Sequence, residues 1–367
     1  MKENYKVGII GATGMVGQRF ITLLANHPWY TIEVLAASPR SAGKKYSEAV
    51  GKKWCMDEDI PAGVADMVVM NATEDVEEIA KRVDFVFCAV DMKKDEIKAL
   101  EERYAKAECP VVSNNSAHRH TPDVPMIIPE INPQHAQIID AQRERLGTKR
   151  GFIAVKSNCS LQSYLPAMAV INRKYPIDKA IVTTYQAISG AGKTFETWPE
   201  MVDNLIPYIG GEEMKSEIEP NKILGKIEGG EIVPSEEMHI ECQTYRVPVS
   251  NGHTAAIFFS FKDSANKPSA EEIENMWREY RGEPQELELP HAPKQFIYVY
   301  TEKDQPDQPQ IKSAREIDGG MAISCGRLRE SSQYDYKMVS MSHNTLRGAA
   351  GGAVLLAELL TKKGYMD

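Results

Sequence analysis

The sequence predicts an α/β fold: a doubly wound parallel sheet, a second domain of α+β type, and a C-terminal helix that returns to the first domain. Three observations carry this. Apolar, strand-like runs alternate with helix-patterned segments across residues 5–115. A glycine-rich turn, Gly11 to Gly17, sits between the first such run and the first helical pattern. Beyond Pro176 the chain becomes β-branched and aromatic, as in a mixed sheet with helices on one face. At 367 residues the chain exceeds one compact core, so two domains are expected: residues 1–156 with 343–367, and residues 157–342.

Composition narrows the function classes. A net charge of -9 excludes the basic stripe of a nucleic-acid-binding protein, while local Lys and Arg still permit an anionic small-molecule substrate. No stretch approaches the roughly 18 uninterrupted apolar residues of a membrane span. Met1 to Tyr5 runs straight into a strand, so no signal peptide is expected. Six scattered cysteines without a Cys-x-x-Cys pair read as free thiols in a reducing, cytoplasmic setting, and no metal is expected.

Taken in order, Tyr5 to Ile10 alternates and then turns fully apolar, as a parallel strand buried on both faces does. Gly11-Ala12-Thr13-Gly14-Met15-Val16-Gly17 follows, and Gln18 to Leu24 continues at helical spacing. Strand, glycine turn and helix form the context of a Rossmann-like dinucleotide site. Its glycines let the backbone approach a pyrophosphate on the helix N-terminus, which makes Gly11, Thr13, Gly14, Met15, Val16 and Gly17 cofactor candidates. The spacing is G-x-x-G-x-x-G, a departure from the usual G-x-G-x-x-G. The second strand, Thr31 to Ala37, ends in Ser38-Pro39-Arg40, where an NAD-selective site usually has a carboxylate. Hydroxyl and guanidinium groups at Ser38 and Arg40 suit a 2′-phosphate, so NADP is the expected cofactor. Met67 to Met70, Asp84 to Val90 and Val111-Val112 are further strand candidates, and Lys93 to Lys106 is a charged helix. The polar loop Ser113 to Arg119 is expected to face the reactive end of the cofactor, with Arg119 as an anion clamp.

Gly151 to Val155 reads as a strand, Lys156-Ser157-Asn158-Cys159-Ser160 as a polar turn, and Leu161 to Leu165 as the start of a helix. A cysteine at that junction meets unpaired N–H groups and the positive end of a helix dipole, which lower a thiol pKa. Cys159 is therefore the candidate nucleophile, although Pro166 interrupts a long helix and weakens the dipole contribution. Strands are expected at Ala180 to Ile188, Glu241 to Val249, Ala255 to Phe261, Gln295 to Thr301 and Met321 to Ser324. Glu271 to Tyr280 reads as a surface helix and Glu302 to Gln310 as a loop.

Ser189-Gly190-Ala191-Gly192-Lys193-Thr194 imitates a P-loop, but Ala187 stands where the template needs Gly. Its glycines are read as bringing the backbone close to a nicotinamide. Glu212 and Lys215 share one side of a helical turn, which alone reads as an exposed ion pair. His253, on a glycine turn at a strand end, is placed to supply a proton to chemistry at Cys159. Small residues in His343 to Ala353 open a helix, Val354 to Leu360, that should rejoin the first domain.

Gly11 to Gly17, Ser157-Asn158-Cys159-Ser160, Gln186, Arg246, Asn251-Gly252-His253 and the helix after Asn344 together resemble the aspartate-β-semialdehyde dehydrogenase family, over essentially the whole chain. The Asn114 to Arg119 loop and the Gly-Gly-Glu-Glu-x-Lys run resemble its archaeal and fungal branch. The resemblance implies that Cys159 attacks the substrate carbonyl, His253 is the acid/base and Gln186 orients the acyl intermediate. It implies that Arg246 binds the substrate carboxylate, that Glu212 or its neighbour Glu213 holds the amine, and that Arg119 and Lys215 contact phosphate. Asn158 joins the substrate set, and Ser189, Gly190 and Asn344 join the cofactor set. The implied reaction is NADPH-dependent reductive dephosphorylation of L-4-aspartyl phosphate to L-aspartate 4-semialdehyde through a Cys thioester. It serves lysine, threonine and methionine biosynthesis, in a homodimer or homotetramer. A malonyl-CoA or succinyl-CoA reductase is the enzymatic alternative; it would keep Cys159 and His253 but need no amine-binding carboxylate. A nucleotide-sensing scaffold is the non-enzymatic one, and retention of both Cys159 and His253 speaks against it.

Overall fold

The computed structural model describes residues 2–301 and 310–367. The apolar runs of the N-terminal half assemble a six-stranded sheet from β1 (Tyr5–Ile10), β2 (Tyr30–Ala37), β3 (Met70–Asn71), β4 (Phe85–Cys88), β5 (Val111–Ser113) and β6 (Ile153–Val155). Its order is β3-β2-β1-β4-β5-β6 and every pairing is parallel. Strand order therefore reverses between β1 and β4, and ligands of such sheets bind beyond the carboxyl ends there. Helix α1 (Met15–Leu24) follows the glycine turn and α2 (Lys94–Lys106) precedes β5. Two strands are shorter than their apolar runs. Asp84 does not join β4 but accepts the backbone N–H of Lys6 at 2.8 Å. Val68 leaves β3 to form an isolated antiparallel bridge with Lys45.

A second six-stranded sheet has the order β10-β7-β11-β14-β13-β12. It comprises β7 (Ile177–Gln186), β10 (His239–Arg246), β11 (His253–Phe261), β12 (Ile297–Val299), β13 (Ile323–Glu330) and β14 (Tyr336–Ser342), while β8 (Lys226–Glu228) and β9 (Glu231–Val233) form a separate hairpin. The sheet is mixed: β7 with β10 and β12 with β13 are parallel, the other pairs antiparallel. Pattern reading missed β14 and the hairpin, and ended β13 at Ser324, six residues before its observed end at Glu330. The expected loop at Glu302 to Gln310 falls on residues 302–309, which lie outside the described residues.

Between the sheets runs α3 (Leu165–Asn172), whose residues Leu165 to Ile171 are all buried. A helix that is apolar all round must be enclosed. Here it belongs to one hydrophobic cluster that includes Ile10 and Val86 of the first sheet and Val182 and Ile257 of the second. The C-terminal helix α6 (Ala350–Lys362) packs on α1 and shares a cluster with β1 and β4, so the tail rejoins the first sheet as expected. Its approach is pinned by Arg347, fully buried, whose guanidinium grips the equally buried Glu130 through both Nη atoms and donates from Nε to Gln162 at 3.2 Å. Helices α4 (Glu212–Ile223) and α5 (Ala270–Glu279) flank the second sheet. Among the described residues no helix is long and apolar enough to cross a membrane.

Candidate active site

The glycine turn explains its own composition. Gly11 has φ +94°, and a Cβ there would lie 2.4 Å from the carbonyl oxygen of Ala89. At Gly17 a Cβ would lie 2.3 Å from the carbonyl oxygen of Gly11, so only glycine lets α1 pack against the turn. Gly14 caps α1, whose first turn carries no acidic residue, leaving its N–H groups and positive dipole end to an anion. A cavity of about 620 Å³ opens there, lined by Gly11, Thr13, Gly14, Ser38, Lys53 and Asp91 among others. Cradle, helix end and volume fit a dinucleotide. Arg40 is exposed and does not line this cavity, whereas Lys53, unremarked in the sequence, does.

A second cavity, about 290 Å³, joins Met15 and Val16 at the start of α1 to Asn115, Arg119, Asn158, Cys159, Ser189, Gly190, Glu212, Lys215 and Asn344. The expected site residues thus converge from both sheets. Cys159 follows β6, and its Sγ lies 3.4 Å from Nε2 of His253, the first residue of β11. Asn344 ties the neighbouring turns together, donating to Ser189 Oγ at 2.9 Å and accepting the N–H of Gly252 at 2.7 Å.

Two expectations about the thiol need correction. The segment after Cys159 is a short 3₁₀ turn, Leu161–Ser163, and Tyr164 (φ -140°, ψ -40°) separates it from α3. Pro166 sits in the first turn of α3, where its missing N–H costs nothing, so it does not kink a helix. The segment that follows Cys159 therefore brings no long-helix dipole to the sulfur. Burial pushes the Cys159 thiol up and Glu212 adds to this, against Lys156, Arg119 and Arg246.

His253 faces the sulfur from the second sheet. Its Nδ1 accepts the backbone N–H of Ala187 at 3.0 Å. A backbone amide can only donate, so the ring proton sits on Nε2, toward the sulfur. Burial, then Arg246, push this histidine down to about 3, so the ring is neutral. In this state His253 meets Sγ as a hydrogen-bond donor through Nε2–H.

The charged side chains are paired with care. Glu212 opens α4, where a carboxylate suits the helix dipole. Burial opposes its charge, but Lys215, Asn158 and Arg119 hold its carboxyl below the usual range. It accepts from Lys215 Nζ at 2.6 Å, Asn158 Nδ2 at 2.9 Å and Gln186 Nε2 at 3.5 Å. This pair is largely buried, not the exposed pair expected. Glu213 points elsewhere, accepting the N–H of Thr244 at 3.3 Å. Arg119 donates to Glu219 at 2.9 Å and to the carbonyls of Lys156 and Asn114. Arg246 is buried and donates to the Ala187 carbonyl at 2.7 Å.

Sequence reasoning missed Glu219, Lys222 and the role of Lys156. Glu219 is 1% exposed and bonds both Arg119 and the N–H of Asn158, 2.8 Å away, so it sets the turn that carries Cys159. Its position seven residues after Glu212, on the same face of α4, was the available signal. Lys222 donates to the carbonyls of Arg119, Thr121 and Val124. Pro220 inside α4 frees the carbonyl of Ser216, which accepts the Tyr164 hydroxyl at 3.3 Å.

His27, His291 and Glu358 bring ligand-type atoms within 4.8 Å of one another. His27 Nδ1 accepts the N–H groups of Trp29 and Tyr30, so its proton lies on Nε2 and is given to Glu358 at 2.8 Å. His291 Nδ1 meets the same carboxylate oxygen at 2.6 Å. With no lone pair on His27 Nε2, the cluster is a hydrogen-bonded tie and not a cation site.

Two family models match the chain: "Semialdehyde dehydrogenase, NAD binding domain" over residues 6–139 and "Semialdehyde dehydrogenase, dimerisation domain" over residues 168–347. The chain is 42% identical to aspartate-semialdehyde dehydrogenase of Saccharomyces cerevisiae, with 98% of each chain covered. It is 39% identical to that of Methanothermobacter thermautotrophicus, covering 97% of this chain and 99% of the relative. Its fold matches the crystal structure of aspartate semialdehyde dehydrogenase with NADP from Candida albicans at a TM-score of 0.87, with 39% identity and 99% of each chain covered.

Proposed function

The chain belongs to the aspartate-semialdehyde dehydrogenase family, an oxidoreductase family of the aspartate pathway, and from that premise we propose that it converts L-4-aspartyl phosphate to L-aspartate 4-semialdehyde with NADPH. The observation that carries this reading is the Cys159–His253 contact of 3.4 Å beside a cavity that holds Glu212, Arg119 and Lys215. Those groups, with Arg246 close by, match the amine, phosphate and carboxylate of the substrate in charge. A CoA thioester would leave Glu212 without a counterpart, which favours the acyl phosphate over malonyl- or succinyl-CoA.

Arg246 takes the substrate carboxylate and Glu212 its ammonium group. The ammonium offsets the carboxylate that raises the Cys159 thiol, so substrate binding itself favours the thiolate. Sulfur attacks the acyl carbon, the C–O bond to phosphate breaks, and the leaving group departs as hydrogen phosphate with the thiol's proton. His253 Nε2–H stabilises negative charge on sulfur during attack and again when the aldehyde is released. Gln186 orients the acyl group. The Gly11 to Gly17 turn, with Ser38, Ser189, Gly190 and Asn344, would hold NADPH, which would supply the hydride for reduction of the thioester.

We also propose self-association through the outer face of the second sheet, where Tyr185 and Phe258 are exposed and Tyr245 stacks on Tyr185 at 5.8 Å. Light scattering should then give a homodimer or homotetramer. We likewise propose a division into residues 1–156 with 343–367 and residues 157–342. Cys159→Ser should lose turnover on the order of 10³-fold or more while NADPH binding is kept. Substantial activity in that variant, or turnover of malonyl-CoA in preference to aspartyl phosphate, would displace the reading.

A further inference from the structure

Three cations line the cavity beside Cys159: Arg119, Lys156 and Lys215. Two are already matched. Arg119 Nη1 donates to Glu219 at 2.9 Å, and Lys215 Nζ to Glu212 at 2.6 Å. Among the described residues Lys156 has no carboxylate partner; its Nζ donates to the carbonyl of Ser157. The residue is 2% exposed, so its amine has lost nearly all its water. An acyl phosphate brings two negative charges into a space where, before substrate binds, Arg119 and Lys215 each already bond a carboxylate. Coulombic balance then draws on Lys156, the lining cation that no carboxylate bonds directly among the described residues.

We propose that Lys156 is the cation that holds the phosphoryl group of the substrate, and free phosphate in the reverse direction, beside Cys159. Arg119 and Lys215 frame this subsite. The assignment rests on the reading of the reaction as a phosphorylating dehydrogenase and adds to it a residue outside the set that the family resemblance supplied.

The surroundings of Lys156 make the contact sensitive to pH. Burial, then Arg119, push the amine down to about 7, while Cys159, Glu219 and Glu212 pull it up. At alkaline pH the amine is then largely neutral until an anion arrives. A bound dianion favours the ammonium form, so binding draws in a proton. Sulfate isolates this effect, because it stays a dianion throughout the range.

The test runs the reaction toward oxidation of the semialdehyde with NADP and phosphate. Wild-type turnover establishes the reaction; its absence would defeat the functional reading and leave the sulfate measurement to judge Lys156. Lys156→Met should raise the phosphate KM about 10-fold or more, with the semialdehyde and NADP KM within about two-fold of wild type. Lys156→Arg should restore part of the phosphate affinity. Calorimetric titration of wild type with sulfate near pH 8, in buffers of different ionisation enthalpy, should show uptake of a fraction of a proton. An unchanged phosphate KM in folded Lys156→Met, or sulfate binding without proton uptake, overturns the assignment. So does a Lys156→Met enzyme that keeps its phosphate KM but alkylates more slowly at Cys159, since that would place the amine on the thiol. The sulfate measurement needs only the wild-type protein, so it decides the matter even if Lys156→Met does not fold.

Discussion

Replacing Gly190 with alanine adds one methyl group against Arg246 and His253, the side chains proposed to bind the substrate and to assist the sulfur. A Cβ at this position lies 2.8 Å from Arg246 Nη1, 3.1 Å from His253 Cε1 and 3.2 Å from His253 Nε2. Ordinary van der Waals contact starts near 3.4 Å, so the methyl group is about 0.6 Å too close to Arg246 and about 0.2–0.3 Å too close to the histidine. Arg246 is the end of a long side chain and can swing aside. His253 cannot move as freely, being fully buried and held at Nδ1 by the Ala187 amide. A misplacement of about 1 Å costs roughly 10²-fold in such sites, so shifts of a few tenths of an ångström predict a kcat about 10-fold lower. Displacement of Arg246 should also raise the semialdehyde KM several-fold. No positive φ is involved at Gly190, so the fold should tolerate alanine and Tm should stay within a few degrees. Steady-state kinetics together with a melting curve separate these effects. A Gly190→Ala enzyme with kcat and KM within two-fold of wild type would refute the placement of these two side chains.

Other outcomes follow from particular contacts. Glu212→Gln should lower kcat/KM about 10²-fold, because the carboxylate is buried and bonded by Lys215 and Asn158. Glu213→Gln should stay within about three-fold, and equal losses from the two variants would contradict the geometry. Arg40→Ala should weaken NADPH about 10-fold and NADH little; the same selective loss from Lys53→Ala, with none from Arg40→Ala, would move the 2′-phosphate contact to the lysine that lines the cavity. Burial lowers the pKa of His27, His118, His120, His135, His253 and His343. Each stays neutral in the folded chain below the pH, near 6.5, at which an unfolded histidine takes up its proton, so stability is complete above that pH and declines as acid is added. Tm should therefore fall steadily from pH 7 to 5, and a flat profile would contradict these burial effects.

Contiguous patterns were legible. The run Tyr5 to Ile10, the glycine turn and the helix after it were readable because each signal lies within a few neighbouring residues. Helix α2 began one residue from its expected start for the same reason. Strand β14 was not legible. Its alternation is diluted by Lys337, Ser340 and Ser342, and it is stabilised by pairing with β11 and β13 on either side. Such pairing is not encoded in the segment itself.

The candidate site divides along the same line. The sequence pointed to Cys159, His253, Arg119, Lys215 and either Glu212 or Glu213 as candidates for one reaction, and folding brings Cys159, Glu212, Arg119 and Lys215 to one cavity with His253 against the sulfur. Only the tertiary structure decided their states. The thiol is raised and not lowered because burial, with a carboxylate from α4, acts where a helix dipole was expected. The choice of Glu212 over Glu213 depends on the rotation of α4 against Asn158, 54 residues away in the chain. Lys156 stood in plain view three residues before Cys159, yet its lack of a directly bonded carboxylate among the described residues became visible only once Arg119 and Lys215 were seen to have theirs. Local pattern travels along the chain, but the charge balance of a cavity is a sum over residues that only folding brings together.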